Sequence, residues 1–197
     1  SIGVSLESQL VALTEFIKKQ NKTKTVVMYP KNDYVELIEK NLEKINLKNV
    51  KKFIYNSNPE VLTGEIEILT NYSQRKRNLE LRKKMFEDKE DEQSIKELER
   101  LEQLYTLGKD NFDSVIIIDF GNSLKSVLTS LVYTDVSQEN VLFTTINQWF
   151  DESIFYEQTI KNLYYPSVNY KEFKRYNEKY FKKFKIYPNE ITILAYD

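Results

Sequence analysis

Residues 114–119 read Ser-Val-Ile-Ile-Ile-Asp. Four consecutive β-branched apolar residues without alternation mark a strand covered on both faces, since a half-solvated strand alternates apolar with polar. Working outward, Thr25-Val-Val-Met-Tyr29 before Pro30 and Val141-Leu-Phe-Thr-Thr145 show the same habit. Val50 to Tyr55 and Leu163-Tyr-Tyr165 before Pro166 complete five expected strands. Helical periods separate them. Leu6, Leu10, Leu13 and Ile17 recur at helical spacing behind Ser5 as a cap. Asp33 with Glu36 predicts a capping box opening a helix through Leu37, Ile38, Leu42 and Ile45. Asn58-Pro59-Glu60 supplies a cap, an N1 proline and a first-turn acid. A helix from Asn122 to Tyr133 carries Leu124, Val127, Leu128 and Leu131 on one side, and a short one is expected over 151–159. Strands alternating with helices call for an α/β fold: a three-layer αβα sandwich around a mainly parallel sheet.

Residues 73–107 break the rhythm. They read SQRKRNLELRKKMFEDKEDEQSIKELERLEQLYTL, rich in helix formers and free of Pro and Gly. The acidic knot from Glu87 to Glu92 divides a basic first half from a second half with Ile95, Leu98, Leu101 and Leu104. This predicts a helical hairpin or one long helix inserted into the domain. After the fifth strand, Tyr170 to Phe184 reads as an aromatic, Lys-rich helix, and Pro188-Asn189 opens a last one.

Composition excludes whole classes of chemistry. The 197 residues contain no His and no Cys, which removes Ser-His-Asp triads, thiol nucleophiles and imidazole or thiolate metal sites. Four glycines cannot write a P-loop or a dinucleotide fingerprint. Asp119-Phe120-Gly121 imitates the metal-binding tripeptide of protein kinases without the other kinase motifs, and reads as an acidic strand end with a Gly turn. A receiver-domain reading of Asp119 fails too, because Met28-Tyr29-Pro30 stands where an acidic pair would hold Mg²⁺. The balanced net charge of −1 gives no footprint for nucleic acid. The alternation of aromatics and cations from Tyr170 to Tyr187 therefore reads as a packed amphipathic helix rather than a base-stacking face. No apolar run approaches the roughly 20 residues that span a bilayer.

Ligands of open α/β sheets sit beyond the carboxyl ends of the strands. The candidate residues there are Tyr29, Asn32 and Tyr34 after the first strand, and Asp119 and Asn122 after the third. Thr144, Thr145, Gln148 and Trp149 follow the fourth. Trp149 reads equally as a cleft wall and as a core aromatic. The group offers hydroxyls, amides and aromatics without a matched acid and base, which suits binding better than turnover. No catalytic residue, metal ligand or cofactor is expected.

Five stretches taken in order resemble the second lobe of type I periplasmic solute-binding proteins, the leucine/isoleucine/valine-binding class. They are Ser5-Leu-Glu-Ser-Gln9, the TVVMYPKNDY turn from strand to helix, NFDSVIIIDFGNSL with VLFTTINQW, and FKRYNEKYFKKFKIYPNEITILAYD. Val35 stands where that class has Gly after its cleft tyrosine, and Thr144 where it has Gly before Thr-x-x-Trp. Within the superfamily, Gln74-Arg75-Lys76-Arg77 ahead of Thr106-Leu107-Gly108 most resembles penicillin-binding protein activator (LpoA-like) lipoproteins. The resemblance implies that residues 1–165 form most of one lobe, with 166–197 returning toward a second. It also implies a periplasmic or envelope-attached site of action. Its leading expectation is a non-catalytic regulator of peptidoglycan synthesis that contacts a penicillin-binding protein. The other is a receptor for an amino acid or similar small polar solute.

Overall fold

The structure, a computed structural model, describes residues 5–45, 47, 49–148, 154, 160–189 and 192. Trp149 and most of the expected 151–159 and C-terminal helices lie outside the described residues.

Five strands form one all-parallel sheet: β1 (Thr25–Pro30), β2 (Val50–Tyr55), β3 (Ser114–Ile117), β4 (Leu142–Thr145) and β5 (Leu163–Tyr164). Their order is β2-β1-β3-β4-β5. The central strands β1 and β3 are buried along their whole length, as unbroken apolar runs require. β2, at an edge, is covered only in part and exposes Lys51, Lys52 and Ile54.

Alternate side chains of the sheet feed two separate cores. On one face Val27, Tyr29, Ile116 and Ile118 pack beneath helices α1 (Leu6–Lys19) and α2 (Val35–Lys44), which contribute Leu10, Leu13, Ile17, Ile38 and Leu42. On the other, Val26, Met28, Val115, Ile117 and Phe143 meet α3 (Pro59–Leu69) and α6 (Gly121–Tyr133). The architecture is the expected αβα sandwich. Each fully buried Val or Ile stabilises it by about 1.5–3 kcal/mol of apolar transfer.

The entries of α1 and α3 follow the sequence and that of α2 does not. Ser5 caps α1 by accepting the Ser8 N–H at 3.1 Å, and Asn58 caps α3 through Glu60 N–H at 3.1 Å. The Asp33–Glu36 capping box does not form. α2 starts at Val35 with Tyr34 as an N-cap that makes no side-chain cap bond. Asn32 takes over the turn, its Oδ1 accepting the Tyr34 N–H at 2.9 Å. An Asx turn one residue upstream has displaced the box.

The 73–107 segment resolves as a hairpin of α4 (Tyr72–Glu87) and α5 (Glu92–Glu102). Asp91 breaks the helical run by capping α5, accepting both the N–H and the hydroxyl of Ser94. Arg75 of α4 anchors the hairpin to the body. Its guanidinium pairs with Asp110 at 3.0 Å and donates to the Thr134 and Asp135 carbonyls at 3.2 and 2.7 Å, where α6 ends. Thr106 donates to Asp135 at 2.5 Å, and the Leu107 N–H returns to the Arg75 carbonyl at 3.0 Å. Because α6 leaves the carboxyl end of β3 and runs back, this anchor sits at the amino end of the sheet. The last described helix, α7 (Tyr170–Phe184), is capped by Asn169.

Candidate functional site

In a sheet of this order the connections reverse beside β1. The chain leaves β1 for α2 on one face and leaves β3 for α6 on the other, so a crevice opens between the two loops at their carboxyl ends. A cleft of about 380 Å³ occupies that crevice. Its floor is apolar, with Leu6 of α1, Leu37 and Ile38 of α2, Pro30 of β1, and Ile118 and Ile146 past the ends of β3 and β4. Gln9, Asn32 and Asp119 bring polar groups to it, and Tyr34 and Phe120 stand at its edge, 65% and 53% exposed. A few polar groups in an apolar concavity is the usual make-up of a small-molecule site.

Asp119 is the one charged residue among the described lining residues. One carboxylate oxygen accepts the Phe120 N–H at 2.8 Å and the other accepts the Tyr55 hydroxyl. Tyr55 ends β2, so this bond passes over the end of β1 and joins the strands on either side of it. Burial, then the adjacent Asp119 charge and its hydrogen bond, push the Tyr55 phenol well above its usual range. Tyr55 therefore stays a neutral donor. Asp119 itself is 7% exposed and makes no ion pair among the described residues.

Of the nine residues singled out from the sequence, the structure gathers Asn32, Tyr34 and Asp119 along the cleft. Trp149 lies outside the described residues. The others do not line this cleft, each for a definite reason. Tyr29 turns into the core under α2 and donates to Glu39 at 3.1 Å; burial and that carboxylate push its phenol up to about 12. Thr144 and Thr145 are fully buried and return their hydroxyls to the Val115 and Ile117 carbonyls at 2.7 and 2.8 Å. Gln148 is a buried brace, its amide donating to the Asp119 and Ile146 carbonyls at 3.0 and 3.1 Å. Asn122 sits exposed in the first turn of α6. Gln148 thus supports the site by fixing the backbone of Asp119.

Sequence reasoning missed Gln9, Phe120 and Tyr55. Gln9 accepts the Asn147 N–H at 2.8 Å and so ties α1 to the exit of β4. Position at a strand end was the signal available for Tyr55. Gln9 belongs to the Ser5–Gln9 stretch that carries the resemblance, but nothing in the sequence gives it a role at the site. Among the described residues no group of carboxylates is placed to hold a metal ion, and no helix is long and apolar enough to cross a membrane.

No protein-family model matches the chain, and no curated protein sequence is similar to it. Solved structures are similar to it in fold. One is the branched-chain amino acid transporter substrate binding protein LivJ of Streptococcus pneumoniae, in complex with isoleucine, at 15% identity and a TM-score of 0.50. It is matched over 96% of this chain and 46% of its own. Another is an extracellular ligand-binding receptor of Verminephrobacter eiseniae, at 7% identity and a TM-score of 0.50, over 96% of this chain and 47% of its own. The fold is that of the type I periplasmic binding proteins, and the chain spans just under half the length of these two structures.

Proposed function

We propose that the chain forms most of one lobe of a non-catalytic receptor that holds a small polar solute between two lobes, acting in the periplasm or attached to the cell envelope. The observation that carries this reading is the cleft at the point where the strand order reverses, apolar below and polar at three positions. The likeness of fold to a substrate-binding protein whose structure contains isoleucine supports it. Asn32, Tyr34 and Asp119 form this lobe's share of the contact, and residues 166–197 lead toward the second lobe.

A thermal-shift screen of the whole two-lobed protein against amino acids and peptidoglycan fragments tests the proposal. A ligand that binds only the folded state raises the melting temperature by mass action, by about 2.7 kcal/mol of stability at 100 times Kd. A saturable shift, reduced in Tyr34→Ala, is the expected result. A flat panel overturns the receptor reading.

A second reading rests on the α4–α5 hairpin. Anchored at the end of the sheet opposite the cleft, it leaves Leu81 and Met85 of α4 57% and 58% exposed, one helical turn apart. Such a stripe is how a helix docks against a protein partner. On this reading the molecule is an envelope lipoprotein that regulates peptidoglycan synthesis by contacting a penicillin-binding protein. Retention of a purified penicillin-binding protein by the whole chain, lost in Leu81→Asp/Met85→Asp, is its expected outcome. Retention that survives the double substitution removes the hairpin from the contact.

A further inference from the structure

A carboxylate taken out of water needs hydrogen bonds and a counter-charge, or its burial costs several kcal/mol. Asp119 has the first; for the second it has only the partial positive charge at the N-terminus of α6, with no Lys or Arg paired to it among the described residues. Its oxygens accept Tyr55 O–H and Phe120 N–H, yet no Lys or Arg lines the cleft among the described residues. Two donors do not saturate a carboxylate, which has about four acceptor directions. Asp119 is nevertheless among the residues that line the cleft, whose walls are otherwise apolar, and a charge beside low-dielectric walls has its field focused rather than screened. Beside it stand the half-open rings of Tyr34 and Phe120. An aromatic face attracts a cation through its quadrupole, most strongly where water is excluded.

From this juxtaposition we propose that the cleft selects an organic cation: an alkylammonium head held against Asp119 between the Tyr34 and Phe120 rings, with its apolar stem along Ile118 and Ile146. The proposal rests on the solute-receptor reading and adds the charge of the solute. Anionic solutes are disfavoured by the same field, and an uncharged isostere gains only the apolar contact. The volume of about 380 Å³ falls at the small end of the usual range for ligand pockets, which suits a short stem.

Titration calorimetry on the whole two-lobed protein tests this with pentylammonium, pentyltrimethylammonium, pentan-1-ol, pentanoate and leucine. The two ammonium probes are expected to bind at least tenfold more tightly than pentan-1-ol, with pentanoate weakest. Asp119→Asn is expected to abolish the preference for cation over alcohol. Because that substitution disturbs a buried bond, the rim variants Tyr34→Leu and Phe120→Leu provide a check at exposed positions. Each is expected to weaken pentyltrimethylammonium three- to tenfold while changing pentan-1-ol by less than twofold. Tighter binding of pentanoate or leucine than of either cation overturns the charge assignment and leaves the receptor reading standing. Rim variants that weaken cation and alcohol alike also overturn it. No binding by any probe overturns the charge assignment, and the receptor reading falls with it only if the thermal-shift panel is flat as well.

Discussion

Asp113 shows how much one side chain organises at the amino end of the sheet. Its carboxylate accepts the Thr23 and Lys24 N–H groups at 2.8 and 2.9 Å, holding the turn between α1 and β1 against the start of β3. Burial acts to raise this carboxyl, but the two backbone bonds and the Thr23 and Ser114 hydroxyls outweigh it and hold it below the ordinary value of 3.8. A group depressed in the folded state adds stability above its unfolded value and loses it as pH falls toward the folded one. Acid denaturation is thus expected to draw on Asp113 from about pH 4 downward. Urea midpoints of Asp113→Asn compared with the parent should converge as pH falls from 6 to 2. A constant gap would show that the charge is not responsible. Tyr29 has the opposite sign. Its phenol, raised to about 12, favours the folded state below the ordinary value of 10 and loses that contribution as pH rises between the two. Tyr29→Phe should therefore flatten the alkaline limb of the stability profile, measured by urea midpoints between pH 9 and 12.

At the scale of elements, the hairpin depends on one residue more than on its own length. α4 buries only Arg75 and Leu79 among its residues, so its attachment is concentrated at the guanidinium. Removing one partner of a buried ion pair typically costs about 3–5 kcal/mol, because the other charge is left uncompensated. Arg75→Met strands Asp110, whose burial already raises its carboxyl against the pull of Arg75. Hydrogen exchange should then accelerate through Tyr72–Glu87 and Glu92–Glu102 while the β1 and β3 amides stay protected. Uniform acceleration would instead mean that the hairpin and sheet open together. The same elements show what a sequence can disclose. Val115 to Ile118 declare a doubly covered strand because the run is short and wholly β-branched, where a buried helix would need about ten or more residues. The α2 cap was misread since Asn32 and Asp33 are equally competent and only the backbone path decides between them. The composition of 73–107 suits a hairpin and a single helix equally, and the Asp91 cap on α5 decides for the hairpin. Site residues were harder still. Thr144 and Gln148 sit where ligand residues sit, and their hydroxyl and amide are engaged by backbone carbonyls that no spacing rule reveals.

For the whole molecule, the receptor reading turns on what closing two lobes would accomplish. This chain matches just under half of each of two solved structures of similar fold, and on the receptor reading proposed above its cleft is one wall of a site. One wall leaves a solute open to water on the other side, where an ion near Asp119 is screened within about 10 Å at 0.1 M salt. A second wall removes that water and strengthens every contact the first one makes. A ligand drives closure only by the amount it binds the closed form more tightly than the open one. Raising a closed population from 1% to 99% requires a preference of about 10⁴-fold. The receptor reading accordingly predicts that small-angle scattering of the two-lobed protein shows a saturable fall in radius of gyration with ligand, at the concentrations where the melting temperature rises. Gln148→Ala should reduce that response, because the brace that fixes the Asp119 backbone to the exit of β4 is gone while the apolar floor remains. A scaffold that acts only through its hairpin has no reason to close. For such a molecule the radius of gyration stays constant across the panel, and the change appears only when the protein partner is added.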